Sequence, residues 1–274
     1  ILYFLVQAKI EPGNENVVQI SPTLQATRSN YTMAHKGNAP KFLDYFNTTG
    51  KSKVLVDQLQ SEQGARFLSK RNRNIIVEIE EDIKIPNEFQ WLTLGQIKKL
   101  AGDDNVVNMD LRTVISCIPF NEANTMNSLE EGSYQKIKLA TQKNNMLDSA
   151  LSQNSHETIV NIISWITELK SKTDLFVNKA RLEDLKQWEF NDYKISHQNK
   201  LYFDVLWVSV EIMNREVARW DQPIIAPCGI GIIGFIVKKI NNIYHFLVQA
   251  EIECGNLDIY ELGPTVSCVE TNHQ

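Results

Sequence analysis

Apolar and polar positions alternate like strands toward both ends of the chain and take helical spacing between them. The first stretch opens on an unbroken apolar run and then alternates, with Ala8 and Ile10 on one side and Gln7, Lys9 and Glu11 on the other. Side chains of a strand point to opposite faces with a period of two, so residues 1–11 are predicted to form a strand. Pro12-Gly13-Asn14 predicts the turn that follows, because Gly tolerates positive φ and Asn nearly so. A second strand is predicted where Ile20, Leu24 and Ala26, with Pro22 among them, alternate with Gln19, Ser21, Thr23, Gln25 and Thr27. Further strands are predicted at Lys53–Leu59 and Asn74–Glu80. "TLGQIKKLAG" predicts a helix with Thr93 as N-cap, Gln96 completing a capping box and Gly102 closing it. "MDLRTVISCI" is a short element of undecided type. From Asn121 to about Ser155 the chain is polar and poor in aromatics, which predicts a linker with some helix. "HETIVNIISWITELKS" then sets Ile159, Ile162, Ile163, Ile166 and Leu169 at helical spacing, a core or docking helix. Beyond it "LYFDVLWVSVEI" predicts a strand and "NREVARWDQPII" an irregular segment. "GIIGFIVKKINNIYHFLVQAEI" predicts two strands joined at Asn241-Asn242.

The pattern also repeats. "FLVQAKIEPGN" at Phe4–Asn14 returns as "FLVQAEIECGN" at Phe246–Asn256. Aligned without a gap, Ile1–Thr32 and Ile243–Gln274 agree at 13 of 32 positions, among them Pro22, Thr23 and Asn30 against Pro264, Thr265 and Asn272. Solenoid units recur every few dozen residues, so two copies this far apart point instead to a duplicated domain. Strands with segregated helices in each copy predict an α+β fold. The expected division is a first repeat at 1–120, a linker with connecting helices at 121–183 and a second repeat at 184–274. Because the chain begins inside a predicted strand without Met and stops partway through the second copy, it is expected to be an excerpt of a longer protein, with both copies incomplete.

Composition narrows the function classes. A formal net charge of -5 argues against a nucleic-acid partner, since phosphate-neutralising proteins gather basic surface. The four cysteines show no close pairing and the five histidines no ligand-like spacing, which argues against a zinc site or disulfide framework. No metal ligand is assigned, and reduced thiols in a cytoplasmic protein are the expectation. No apolar stretch reaches the roughly 18 residues of a membrane helix. The longest, "PIIAPCGIGIIGFIV", is broken by Pro227 and three glycines.

Several residues suggest chemistry. The predicted face of Gln19, Ser21, Thr23, Gln25 and Thr27 is polar but uncharged. Amides and hydroxyls both donate and accept, which suits a polyhydroxyl ligand, although the wet outer face of an antiparallel sheet has the same composition. Directly after it come Arg28, Asn30, Tyr31 and His35. Arg is the natural clamp for a diphosphate, and Tyr and His exchange protons or stack on a base; an ordinary polar surface loop is the alternative. Arg66 adds a candidate phosphate contact, against the plainer reading of a solvated basic loop. Trp220-Asp221-Gln222-Pro223 is expected to form a rigid turn with an aromatic wall, Trp220 and Gln222 being the candidate contacts, unless Trp220 is simply core. Glu11 ends its strand on the polar face, as a turn cap or a base at a pocket rim. Gly229, Gly231 and Gly234 spell a literal GxGxxG, but a β-rich stretch follows instead of the helix that a dinucleotide site requires, so nicotinamide binding is rejected.

The ordered phrases "FLVQAKIEPGN", "VQISPTLQATRSNYT", "VLVDQLQSEQGARF", "RNRNIIVEI", "WLTLGQIKKL", "NMDLRTVISCIPF", "SWITELK", "NREVARWDQPII" and the second "FLVQAEIECGN" resemble the NDP-hexose 2,3-dehydratases of deoxysugar biosynthesis. The resemblance covers most of the chain, with Asn121–Ser155 as the poorly matching part. It implies tandem Nudix-like domains, normally dimeric, that remove water across carbons 2 and 3 of a dTDP-4-keto-6-deoxyhexose. The product, a 3,4-diketo-2,6-dideoxyhexose, would pass to a 3-ketoreductase, and the dehydration needs no cofactor. The metal-holding signature of Nudix hydrolases is absent from the sequence, so the fold relationship does not import diphosphate hydrolysis. On this resemblance Arg28, Tyr31 and His35 are the expected catalytic residues. Gln19, Thr23, Gln25, Thr27, Asn30, Glu11, Arg66, Trp220 and Gln222 are the expected substrate contacts. A non-catalytic nucleotide-sugar binding protein is the main alternative, and a Nudix hydrolase a weaker one.

Overall fold

The computed structural model describes residues 2–27, 39–47, 50–119, 146, 149–150, 152, 154–213 and 218–269. It is a mixed α+β structure, with few helices and several small antiparallel sheets. Packing divides the chain into two units. One gathers Ile1–Gln60, Arg73–Ile118 and Trp207–Ile224; the other gathers Ser61–Asn72, Pro119–Leu206 and Ile225–Gln274.

The first unit is built around a three-stranded antiparallel sheet. Strand β1 (Tyr3–Ile10) lies at its centre, between β2 (Val18–Pro22) and β5 (Phe89–Thr93). Val6 pairs with Pro22 and Gln90, and Ala8 pairs with Ile20. This register puts Phe4, Val6, Ile20 and Leu92 on one face, where helices α1 (Leu94–Leu100) and α2 (Met109–Ser116) cover them. Val6, Ile97, Val107, Leu111 and Ile115 form the buried core there. The opposite face buries Leu5 and Phe89, with the Phe42 ring edge-on to Phe89 at 5.0 Å. The expected capping box forms: Gln96 N–H donates to Thr93 Oγ1 (3.2 Å) and Thr93 N–H to Gln96 Oε1 (2.9 Å). The element of undecided type is α2, capped by Asn108, whose Oδ1 accepts from Leu111 N (2.8 Å). A hairpin-like pair, β3 (Lys53–Ser61) and β4 (Arg71–Glu78), lies within three residues of its expected bounds.

Two expectations need correction. The second strand does not run to Thr27: it ends at Pro22, which lacks the N–H to continue a ladder, and Ser21 is 1 % exposed rather than part of an open polar face. The segment expected to be irregular supplies most of a nine-residue strand, β9 (Arg219–Pro227), at the end of a four-stranded sheet. Its other members are β6 (Trp188–Phe190), β7 (Lys194–His197) and β8 (Phe203–Glu211). Pro223 and Pro227 hid it, yet an edge strand tolerates proline. Helix α3 (Ile159–Ser171) forms where expected; it buries no residue, and Ile159 and Ile163 are exposed, so of its two expected roles the core one falls away and the docking one stands. The linker expected at Asn121–Ser155 lies mostly outside the described residues.

In the second unit, Trp188, His197 and Tyr202 form an aromatic cluster, with His197 buried and its ring 5.5 Å from Trp188 and 5.2 Å from Tyr202. The Asn241-Asn242 turn joins β11 (Val237–Ile240) to β12 (Ile243–Phe246), as expected. Both asparagines take positive φ, which a two-residue hairpin of this type requires. The glycines of the rejected fingerprint lie in and before β10 (Gly231–Gly234), which pairs with β15 (Val266–Val269) and leads into β11 rather than into a helix. Strand β13 (Gln249–Glu251) pairs with β14 (Glu261–Gly263).

The sequence repeat is also a repeat of geometry. Gln7↔Ser21, Ala8↔Ile20 and Lys9↔Gln19 in the first unit recur as Gln249↔Gly263, Ala250↔Leu262 and Glu251↔Glu261 in the second. Asn14 N–H donates to Glu11 O, and Asn256 N–H to Glu253 O, each at 3.1 Å. The Thr23 hydroxyl donates to Leu5 O as the Thr265 hydroxyl does to Leu247 O.

Within the second unit the loop after β3 grips the second copy's turn. Gly255 N–H donates to Gly64 O (2.7 Å) and Ser69 N–H to Gly255 O (2.6 Å), while Ala65 N–H donates to Glu253 Oε2 (3.1 Å). A Cβ on Gly255 would lie 2.0 Å from Phe67 O and 2.4 Å from Gly64 O, both backbone atoms. Gly255→Ala is therefore expected to cost about 1–3 kcal/mol, the range for forced overpacking. Gly234→Ala, where a Cβ meets nothing within 4 Å, should stay within about 0.5 kcal/mol of the parent. Urea denaturation midpoints of the two variants test the contrast.

Candidate functional site

The polar residues that the structure brings together sit where β2 ends. Residues 106–108 cover the outer edge of β2: Ile20 N–H donates to Val106 O and Asn108 N–H to Ile20 O, both at 2.9 Å. That places Asn108, itself buried, beside the chain leaving Pro22. Gln7 Nε2 holds the exit by donating to Pro22 O (2.9 Å) and Thr23 O (3.2 Å). The Thr23 hydroxyl closes onto Leu5 O.

Gln25 is the hub. Its Oε1 accepts from Lys9 Nζ (3.0 Å) and Asn108 Nδ2 (3.3 Å), and its Nε2 donates to Asp110 Oδ2. Lys9 Nζ also pairs with Glu11 Oε1 at 2.9 Å. The Lys9 side chain is only 17 % exposed, so this pair is screened less than a surface ion pair. Both lone pairs of the Gln25 carbonyl are thus engaged, leaving one amide N–H for a ligand. Ser21, on the same sheet face as Gln7 and Lys9 by register, has a buried hydroxyl with no hydrogen-bond partner among the described residues.

The expected site residues distribute as follows. Glu11, Gln19, Thr23 and Gln25 belong to the first unit; Glu11, Thr23 and Gln25 enter the hydrogen-bonded group, and Gln19 lies across from Lys9 in the register. Thr27 is exposed at the end of the described stretch. Arg28, Asn30, Tyr31 and His35 lie outside the described residues. Trp220 and Gln222 lie on β9, also in the first unit, where Trp220 Nε1 donates to Gln222 Oε1 at 2.6 Å. Arg66 falls in the gripping loop of the second unit. Lys9, Asn108 and Asp110 join the group without being singled out by the sequence pattern. A usable signal existed for Asn108, since Asn directly before an apolar run is an N-cap pattern. Nothing local links Lys9 or Asp110 to Gln25.

A wide-mouthed hollow of about 620 Å³ elsewhere in the first unit is lined in part by Tyr45, Lys51, Lys53, Glu78 and Glu81. Among the described residues that line it, none is an expected site residue. Tyr45 Oη donates to Glu81 Oε1 (2.7 Å), which raises the tyrosine pKa, and its three glutamates oppose an anionic ligand. Among the described residues no group of three His, Cys, Asp or Glu could hold a metal ion, and no helix is long and apolar enough to cross a membrane.

At the matching place in the second unit the charge is inverted. Glu251 replaces Lys9, faces Glu261 across the strand pair and lies near Glu253, the counterpart of Glu11. Burial, and then the Glu253 charge, raise the Glu251 pKa.

Known proteins resemble the chain along its length. The family model described as NDP-hexose 2,3-dehydratase matches residues 1–118 and 159–274. Three curated relatives are named dTDP-4-dehydro-6-deoxy-alpha-D-glucopyranose 2,3-dehydratase. The one from Saccharopolyspora spinosa is 45 % identical over 277 residues, covering 100 % of this chain and 55 % of its own. The one from Amycolatopsis orientalis is 40 % identical over 100 % of this chain and 52 % of its own. The one from Streptomyces violaceoruber is 39 % identical over 97 % and 56 %. The chain therefore spans about half the length of the curated relatives it matches.

Asn108→Ala removes both the helix cap and a bond to Gln25 and should cost about 1–2 kcal/mol. Asn108→Asp keeps the cap acceptor and should cost less; thermal melts distinguish them. For Glu251 the folded-state pKa is raised, so the folded form holds its proton more tightly and stability falls as pH rises from the ordinary carboxylate range through the raised value. Glu251→Gln should stabilise the protein at neutral pH, and the gain should shrink toward zero as pH drops below about 4.5, in denaturation measured across pH.

Proposed function

The chain belongs to the NDP-hexose 2,3-dehydratase family, and on that premise we propose that it is part of a lyase of deoxysugar biosynthesis. The enzyme eliminates water across carbons 2 and 3 of a dTDP-4-keto-6-deoxyhexose. The observation that carries the proposal is the identity of 45 % with a named dehydratase across the whole chain. The architecture behind it is a pair of Nudix-like domains in a dimeric cytoplasmic enzyme, with the sequence repeats at 1–120 and 184–274 as the copies.

The chemistry follows from the ketone at carbon 4, which acidifies the hydrogen on carbon 3. A base takes that proton and the electron pair passes into an enolate. The enolate collapses back to the ketone, a double bond forms between carbons 2 and 3, and the carbon 2 hydroxyl leaves as water with a proton from an acid. The resulting enol takes a proton at carbon 2 and loses one from the carbon 3 hydroxyl, giving a 3,4-diketo-2,6-dideoxyhexose. No net oxidation occurs, so the step calls for no redox cofactor; the diketone is the substrate for a 3-ketoreductase.

In this scheme Arg28 clamps the diphosphate or the enolate, and Tyr31 or His35 exchanges protons. Asn30 and the remaining N–H of Gln25 orient the sugar, with Gln19, Thr23, Thr27, Glu11, Trp220 and Gln222 around it. The bonds of Lys9, Asn108 and Asp110 to Gln25 support this assignment, because they fix the point from which the chain enters Arg28–His35.

The test uses the native polypeptide with a dTDP-4-keto-6-deoxyhexose and a 3-ketoreductase. Reduced nicotinamide should be consumed only when the dehydratase is present. Tyr31→Phe and His35→Ala should each lower turnover about tenfold or more while nucleotide binding persists, as expected for acid–base groups. Consumption by the parent with unchanged rates in both variants would move the proton-transfer groups elsewhere; no consumption by the parent would remove the dehydratase assignment.

A further inference from the structure

The Gln25 side chain sits between groups of opposite and fixed polarity. Lys9 Nζ, 3.0 Å from Gln25 Oε1, only donates, and the Asp110 carboxylate beside Gln25 Nε2 only accepts. Asn108 carries both a donor and an acceptor, but its Oδ1 is taken by Leu111 N (2.8 Å) at the head of α2. Its Nδ2 is therefore the group that meets Gln25 Oε1, at 3.3 Å. A Gln25 amide turned end for end would set its N–H groups against two donors and its carbonyl against a carboxylate. The chemistry of the neighbours thus allows one orientation. Lys9 is tethered in turn by Glu11 (2.9 Å), with its side chain 17 % exposed, so the donor that selects this orientation is itself held.

What remains is one hydrogen on Nε2, carried by a half-buried side chain. Gln25 can therefore give a ligand a hydrogen bond but not accept one. A sugar hydroxyl does both and turns to suit either neighbour, so an obligate donor discriminates little there. A ketone oxygen only accepts, and negative charge gathers on it when the adjacent carbon loses its proton. A donor fixed before the reaction, with no reorientation left to make, is worth most at such an oxygen. The second copy has neither end of the arrangement: Glu251 stands at the place of Lys9, and Ser267, at the place of Gln25, lies in β15 opposite Ile233.

Resting on the dehydratase reading above, we propose that Gln25 donates a hydrogen bond to the carbon 4 oxygen of the substrate, and that Lys9 and Asp110 are positioning residues that fix its polarity. The bond strengthens as the carbon 3 proton leaves and the electron pair moves onto that oxygen. It weakens again when the ketone re-forms and water departs. Gln25 transfers no proton at any point.

The experiment reverses the polarity of the bond to Asp110 in the native polypeptide. Gln25→Glu alone sets two carboxylates face to face and should lower the urea midpoint. Combined with Asp110→Asn, whose amide can donate to the new carboxylate, the midpoint should return to that of Asp110→Asn alone. The hydrogen bonds among these side chains are then restored, but the donor toward the ligand is gone. Turnover of the dTDP-4-keto-6-deoxyhexose should fall about a hundredfold relative to Asp110→Asn, the cost of losing one such donor. Binding of a dTDP-hexose with a hydroxyl at carbon 4 should persist, because that hydroxyl can donate to the carboxylate. Lys9→Met should lower kcat more than it raises KM, and Lys9→Arg, again a donor only, should restore kcat. Unchanged turnover in the double variant overturns the proposal, and so does a midpoint that does not return. Equal loss of affinity for the 4-hydroxyl sugar also overturns it, by placing the contact on a group that both sugars share. Absence of nicotinamide consumption by the parent strikes instead at the dehydratase reading. The donor is then decided by whether the double variant loses affinity for the 4-keto sugar alone.

Discussion

Much of the described structure depends on how one strand pairs with the next. In the first unit β1 and β2 meet with Val6 opposite Pro22 and Ala8 opposite Ile20. The tight turn at Glu11–Asn14 and the Thr23 hydroxyl on Leu5 O hold that register at its two ends. A slip of one residue would turn Ile20 away from α1 and α2 and carry Ser21 into their apolar contact. The same register sets the edge of β2 against residues 106–108, so Asn108 is placed to cap α2 and reach Gln25 at once. Backbone pairing thus determines where the polar group of the candidate site assembles.

The second copy shows what that pairing does not determine. Turn, register and clip all return there, while the burial of the same side chains does not. Apolar burial stabilises by about 25 cal/mol per Å² removed from water, so Val6 contributes substantially and the half-exposed Val248 much less. Local sequence is enough to form the strand pair; neighbouring elements decide whether it becomes core.

The same division explains what could be read in advance. The capping box at Thr93, the Asn241-Asn242 hairpin and the first strand were legible because each is fixed by residues a few positions apart. The strand at Arg219–Pro227 was not, because prolines suppress the local signal and only its place at the end of a sheet makes it possible. Helix α3 has a true apolar stripe, but periodicity shows only that a helix has a face and says nothing of whether that face is covered. At the site, Gln25 and Glu11 could be named from the pattern. Their link through Lys9, Asn108 and Asp110 spans more than eighty residues in part, and no local signal reports it.

Charge separates the two copies further. Lys9 beside Glu11 sums to zero, whereas Glu251 beside Glu253 sums to two negative charges when both are ionised, with Glu261 across the pair. Two unit charges 4 Å apart interact by about 4 kcal/mol at an effective dielectric constant of 20. Any anion near the first copy therefore meets a paired cation and carboxylate, and near the second it meets like charge alone. The raised pKa of Glu251 relieves part of that repulsion by favouring the protonated form, without supplying any attraction. Lys9 and Glu251 are strand residues at matching positions of one register, so their exchange leaves the backbone pairing intact while reversing the local field. The two copies of the strand pair in this way share one backbone register and differ in the charge they carry on it.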